Sequence, residues 1–154
     1  MAARRRIDLA EGAQAVRAWA AATNSGAAPG SGANPATTPA LTSGDDAVGP
    51  TPAPAAAPNR ATIATAVRFT LEELAACAPG RSVEVRVPPY GVTQAVSGTV
   101  HRRGTPPSVV ETDAETWLAL ATGRLTWAEA RDSGALEASG ERCDLSAYLP
   151  LLPA

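Results

Sequence analysis

The sequence predicts an α+β fold in which helices cover one side of a mostly antiparallel sheet. Apolar residues recur at three- and four-residue spacing over residues 59–78, which is typical of a helix with one buried face. Apolar and polar residues alternate over 82–87, as in a strand with one wet face. Two helix-start patterns follow, at 112–115 and 126–129. The predicted order is helix, hairpin, strand, two helices, strand and helix.

The first predicted helix of this unit begins at Asn59, a good N-cap residue, and ends near Cys77, before Pro79 and Gly80. Phe69 lies off its apolar stripe, so we expect Phe69 to receive another helix. The stripe itself consists of Ile63, Val67, Leu71, Leu74 and Ala78.

A hairpin is predicted next. Val83, Val85 and Val87 share one face of the first strand, and the turn falls at 88–91. The second strand is expected over 92–100. Its predicted inner face consists of Val92, Val96 and Val100.

The segment after residue 107 predicts a short strand over 108–111 and then two helices. Thr112 with Glu115, and Thr126 with Glu129, fit the capping box in which a hydroxyl and a carboxylate bind first-turn amides. The apolar face of the first of these helices consists of Trp117, Leu120 and Ala121.

The remaining residues predict a strand and one more helix. Leu136 and Ala138 alternate with polar residues in the final strand. Asp144 is the expected cap of a last short helix that carries Leu145 and Tyr148.

Composition divides the chain into three parts. Residues 1–22 contain an Ala-rich helix over 8–22, which is marginal alone and is expected to dock on the main domain. Residues 23–58 are rich in Pro, Ala and Gly and predict a disordered linker. Residues 59–154 form the folded domain. The alternative for the Ala-rich helix is binding at a membrane surface, but its narrow apolar face argues against that alternative.

Charge and cysteine content narrow the function classes. A net charge of −2 with 18% charged residues indicates a soluble protein without bulk attraction to nucleic acid or membranes. No segment is apolar enough for stable membrane insertion. Charged residues at Asp8 and Glu11 argue against a secretory signal. Cys77 and Cys143 are expected to be reduced thiols in the cytoplasm, although their pairing stays open.

No catalytic or metal-binding motif is present. The carboxylates of Glu111, Asp113 and Glu115 are interpreted as a strand surface and a helix start rather than an acid–base site. His101 is the single histidine, so a zinc site is not expected. The neighbouring arginines 102–103 fit a solvated turn better than an anion site. We therefore predict no enzyme activity, no cofactor and no metal.

Several segments resemble one family, the bacterial and chiefly actinobacterial branch of the sterol carrier protein 2 (SCP-2) fold. The resemblance covers residues 81–149, and the helix over 59–78 fits the family's first helix. The most specific segments are RSVEVRVPP at 81–89, RGTPP at 103–107, VETD at 110–113, TGRLTW at 122–127 and DLSAYL at 144–149.

This resemblance implies an SCP-2-like fold with a curved sheet and an apolar tunnel between sheet and helices. In that family the tunnel accommodates fatty acyl chains, acyl-CoA or sterols, so a lipid-like small molecule is the implied ligand. The alternative is a solid-core interaction or accessory module without ligand, whose protein partner is unknown. The candidate lining residues are Val85, Val87, Val96, Trp117, Leu120, Trp127, Leu136 and Tyr148.

Overall fold

The computed structural model describes residues 5–25, 57–98 and 108–152. The α+β class is confirmed. Most of the predicted linker, and the segment that contains His101 and the two arginines after it, lie outside the described residues. The elements are α1 (Leu9–Ser25), α2 (Arg60–Cys77), β1 (Val83–Val87), β2 (Gly91–Ala95), β3 (Ser108–Thr112), α3 (Ala114–Ala121), α4 (Trp127–Asp132) and β4 (Leu136–Ser139).

The four described strands form one sheet in the order β2-β1-β3-β4. The predicted hairpin is confirmed, because β1 and β2 are antiparallel. β3 and β4 are also antiparallel, but β3 runs parallel to β1. The sheet is therefore mixed, which corrects the mostly antiparallel prediction. β3 lies on the other side of β1 from β2, and it runs in the same direction as β1.

One face of the sheet is buried. Val83, Val85 and Val87 of β1 are 0% exposed, whereas Glu84 and Arg86 point to the other, wetter face. Helix α2 lies on the buried side, since Leu71 Cδ1 comes within 3.1 Å of the position that a β-carbon on Gly91 would occupy. The valine alternation thus fixes which side of the sheet the helix covers.

The second strand of the hairpin differs from the prediction. β2 ends at Ala95, and Val96 adopts φ of 65°, which removes it from the strand. Val92 pairs with Arg86 and is 60% exposed, so it belongs to the open face and not to the core. The turn at 88–90 sets this register, and alternation alone could not supply it.

Of the two predicted capping boxes, one is confirmed and one is wrong. Thr126 caps α4, and the Glu129 carboxylate accepts a hydrogen bond from the Thr126 amide. At α3 the cap is Asp113, whose carboxylate accepts from the Thr116 amide at 2.9 Å. Thr112 instead ends β3, and its hydroxyl donates to the Ala135 carbonyl at 2.8 Å. The helix therefore starts one residue later than predicted, because the strand extends one residue further.

The predicted last helix is wrong. Residues 143–152 form turns, in which Asp144 accepts from the Ser146 amide at 2.9 Å. Pro150 follows too closely for a helix to develop, since it has no amide hydrogen to donate. The amides of Leu151 and Leu152 both donate to the Ala121 carbonyl, at 2.9 and 3.0 Å. The C-terminal segment is therefore tied to the end of α3.

Helix α1 packs along α2. A β-carbon on Gly12 would overlap the ring of Phe69, so glycine is required at this helix crossing. The start of α1 is held by Glu72, whose carboxylate accepts from the amides of Arg6 and Ile7 at 3.1 and 3.3 Å.

The other end of α1 contacts the loop between α3 and α4. The guanidinium of Arg124 lies 5.2 Å from the ring centroid of Trp19 and donates to the Ala20 carbonyl at 3.0 Å. Trp19 itself is 3% exposed. The helix is thus fixed at both ends.

Candidate functional site

The eight predicted lining residues fall in or against one hydrophobic cluster. Two of them, Val96 and Tyr148, are half-buried at its margin. The other six are at most 7% exposed: Val85, Val87, Trp117, Leu120, Trp127 and Leu136. The structure thus brings the set together as neighbours of one core.

The indole nitrogen of Trp117 has its hydrogen-bond acceptor within the protein. Trp117 is 0% exposed, and its Nε1 donates to Thr70 Oγ1 at 2.8 Å. The Thr70 hydroxyl lies 2.9 Å from the carbonyl oxygens of both Ala66 and Val67, within the turn before it in α2. The indole and hydroxyl therefore join α3 to α2 through a closed polar network in the core.

Trp127 differs in this respect. It is 7% exposed, and its buried Nε1 has no hydrogen-bond acceptor among the described residues. A buried donor without an acceptor costs about 1–3 kcal/mol. Such a donor is available to a polar atom of a ligand. Trp19 Nε1 is a second buried donor of this kind, in the contact between α1 and the domain.

The C-terminal segment, residues 143–152, covers part of the cluster. Leu145 is 0% exposed and anchors it, whereas Tyr148 and Leu149 are half-buried. Because it lacks helix and strand hydrogen bonding, this segment is expected to open at lower free energy than the sheet beneath it.

A broad groove lies elsewhere on the surface, and none of the eight residues lines it. Its floor is the outer side of α2, and its walls are the start of α1 and the edge strand β2. The groove is open to solvent, with a volume of about 2010 Å³. Its apolar lining comes mainly from Ile7, Leu71, Ala75, Ala76, Pro79, Tyr90 and Val92.

The groove is rich in arginine. Four arginines and two glutamates line it, namely Arg5, Arg6, Arg68, Arg81, Glu11 and Glu72. Two of the arginines reach opposite ends of β2. Arg68 Nε donates to the Tyr90 carbonyl at 2.9 Å, and Arg81 Nε donates to Gln94 Oε1 at 2.9 Å.

The carboxylates considered as an acid–base set do not form one. Glu111 is exposed on the sheet, 4.0 Å from Arg86, and Asp113 caps α3. Partial burial acts to raise the pKa of Asp113, but hydrogen bonds from Thr116 outweigh it and hold that pKa below its usual range. A general acid needs the opposite shift. No cluster of metal-ligating side chains occurs within 5–25, 57–98 and 108–152.

Both cysteines are free thiols. Cys143 is half-buried, and Cys77 is exposed at the end of α2. Desolvation raises the pKa of the Cys77 thiol, so it is protonated and weakly nucleophilic at neutral pH.

Sequence reasoning missed two features of these sites. Thr70 lies at helical spacing between Val67 and Leu74, and this position could have indicated a polar residue inside the core. The groove left no signal of its own, because it combines residues from the start of α1, from α2 and from β2.

None of the described helices has the length and apolar character that crossing a bilayer requires. No curated protein sequence matches the chain. A family model described as "Bacterial SCP ortholog" matches residues 59–151, which is more than half of the 154-residue chain.

Proposed function

Because the chain belongs to the family of bacterial SCP orthologs, we propose that it is a non-enzymatic carrier or binder of a lipid-like apolar ligand. The ligand is a fatty acyl, acyl-CoA or sterol-like molecule, held between the sheet and the helices of an SCP-2-like fold. The proposal includes a cytoplasmic location, in keeping with two free cysteines. It also includes the predicted division into a docked helix over 1–22, a linker over 23–58 and the domain over 59–154, with the difference that α1 continues to Ser25.

The observation that carries this proposal is the unpaired indole of Trp127. A carboxylate or hydroxyl oxygen of the ligand accepts a hydrogen bond from Trp127 Nε1 and so removes the cost of a buried donor. The hydrocarbon part of the ligand then contacts the apolar cluster, to which Val85 and Leu136 belong.

The ligand enters beneath the C-terminal segment. That segment contributes the half-buried Tyr148 and Leu149 to the cluster. It is held by the two hydrogen bonds that the amides of Leu151 and Leu152 donate to the Ala121 carbonyl. Displacing it exposes the cluster without breaking the sheet, which is the least costly way to admit an apolar chain.

Fluorescence titration of the full chain with a fatty acid and with a sterol tests the proposal, together with native mass spectrometry after gentle purification. We expect saturable quenching and a retained lipid. Trp127→Phe should weaken binding by about tenfold, since one hydrogen bond to a charged group is lost. Trp19→Phe is the matched control, because it also removes a buried unpaired indole. Absence of a retained lipid together with no quenching by any lipid class would rule out the carrier function.

The groove favours a second function, that of a protein-interaction or accessory module without a bound ligand. A strand that is terminal among the described strands, beside an arginine-rich and partly apolar groove, is a surface suited to protein contact. If the cluster around Trp117 and Trp127 admits no lipid, this is the function that remains.

A further inference from the structure

We propose that the groove between α1, α2 and β2 binds an extended acidic peptide, which adds to the sheet as a strand beside β2. The partner is a protein segment with two carboxylates about four residues apart. This inference develops the interaction-module function and does not depend on lipid binding, because none of the eight candidate lining residues lines the groove.

The outer edge of β2 supplies the backbone part of the site. β2 is the terminal strand among those that the structure describes, and the groove runs along its residues 91–94. A terminal strand offers amide and carbonyl groups that an added strand can pair with. Val92, at 60% exposed, gives the incoming strand an apolar side chain to pack against.

The arginines supply the charge. Arg5 is ion-paired with Glu73, which leaves Arg6, Arg68 and Arg81 against Glu11 and Glu72 in the groove lining. The lining is therefore cationic, although the chain as a whole has a net charge of −2. Glu72 is already engaged, since it accepts from two backbone amides at the start of α1. A partner with carboxylates is therefore complementary to this surface, and a neutral or basic partner is not.

The spacing of two arginines sets the spacing of the carboxylates. Arg68 is hydrogen-bonded to Tyr90, and Arg81 is hydrogen-bonded to Gln94. Tyr90 and Gln94 are four residues apart in the chain. At about 3.3 Å per residue these anchor points are about 13 Å apart. An added strand has the same rise, so carboxylates at its positions i and i+4 come level with the two anchor points. Both of these hydrogen bonds are made by Nε, and the terminal nitrogens of a guanidinium are suited to binding a carboxylate.

The test uses the full chain and a panel of labelled peptides about nine residues long, built from Thr and Val with two Glu residues. The spacing between the Glu residues is varied over two, four and six positions. Fluorescence anisotropy should give tightest binding at a spacing of four. Arg68→Glu and Arg81→Glu should each weaken binding of that peptide by about tenfold or more. Arg17→Glu, an exposed charge reversal on α1 outside the groove, should leave it within about twofold.

A second measurement separates strand addition from charge attraction alone. Hydrogen exchange should show new protection of β2 amides in the complex. N-methylation of one alternate set of peptide amides should abolish binding, while methylation of the other set should not, because a strand pairs along one edge only.

Several results would overturn the proposal. They are failure of every peptide to bind, binding that is insensitive to spacing, or equal losses in the Arg17, Arg68 and Arg81 variants. Binding of anionic phospholipid vesicles that depends on Arg68 and Arg81, without peptide binding, would assign the groove to a membrane surface instead. Lipid binding measured by tryptophan fluorescence should be unchanged in the Arg68 and Arg81 variants, so the peptide-binding proposal and the lipid-binding proposal can fail independently.

Discussion

Two tryptophans on consecutive helices occupy the same hydrophobic cluster in different states. Trp117 of α3 is completely buried, and its indole nitrogen is bonded to Thr70 at 2.8 Å. Trp127, the first residue of α4, is nearly as buried, but its indole nitrogen has no acceptor in the described part of the chain. The difference lies in hydrogen bonding, since the indole on the α2 side has its acceptor and the indole at the start of α4 has none among the described residues.

This contrast divides the candidate residues by role. Around Trp117 the polar and apolar groups are all matched, so this region maintains the fold. At Trp127 a buried donor has no acceptor among the described residues, so this is where a ligand is expected. The following predictions test that division, from the largest expected effect to the smallest.

Trp117→Ala should lower the free energy of unfolding by about 3–5 kcal/mol, because it leaves a large cavity between α2 and α3. Urea unfolding followed by circular dichroism measures the loss. Val92→Ala, a truncation at a 60% exposed position, should change the free energy by less than about 0.5 kcal/mol. A small loss at Trp117 would mean that this region is not the rigid half of the core.

Thr70→Val should cost about 1–3 kcal/mol, because it keeps the shape of the side chain but leaves the Trp117 donor without its acceptor. Thr122→Val is the matched control. Thr122 is also buried, but its hydroxyl bonds to the Leu118 carbonyl of its own helix, which also accepts from the Thr122 amide. Equal losses in the two variants would contradict the special role of the Trp117–Thr70 bond.

The helix caps should contribute about 1 kcal/mol each, and removal of either cap is tested by Asp113→Ala and Thr126→Ala. Asp113→Asn should retain most of the Asp113 effect, since Asn also caps helices well.

The cap on α3 should also depend on pH. Hydrogen bonds from Thr116, acting against partial burial, hold the pKa of Asp113 below its value in the unfolded chain. Its contribution is therefore complete above the ordinary Asp pKa and is lost as the pH falls through the lowered one. The stability difference between wild type and Asp113→Ala should shrink between about pH 5 and about pH 3. A difference that grows in acid would contradict this assignment.

Trp127→Phe should have the smallest effect on stability, less than about 1 kcal/mol, because removing an unpaired donor offsets part of the lost contact area. Trp117→Phe should cost more, since it also breaks the bond to Thr70. Thermal unfolding of the two variants side by side gives the comparison. A larger loss of stability in Trp127→Phe than in Trp117→Phe would contradict the assignment of the structural role to Trp117.

The sequence predicted those parts of the fold that depend on local pattern. The valines of β1, the stripe on α2 and the Thr126 capping box could all be identified because each involves residues close in the chain. The parallel pairing of β1 with β3 could not, because the pattern within a strand does not specify its neighbour.

The sequence could predict which residues belong to the candidate site, but not their hydrogen bonding. Amphipathic patterns and family resemblance identified residues that lie in or against one cluster, but Val96 left the strand when the hairpin ended early. Whether an indole finds an acceptor depends on residues distant in sequence, as with Trp117 and Thr70, so sequence patterns could not predict the contrast between the two tryptophans.

The most direct test of the carrier function is a nitrogen–proton NMR titration of the indole groups with a fatty acid. The chain has three tryptophans, so three indole signals are expected. We predict that the Trp127 signal shifts downfield and saturates as its donor acquires an acceptor, while the signals of Trp117 and Trp19 remain in place. A Trp127 signal that does not move while the fatty acid binds would contradict the proposal that this indole holds the ligand.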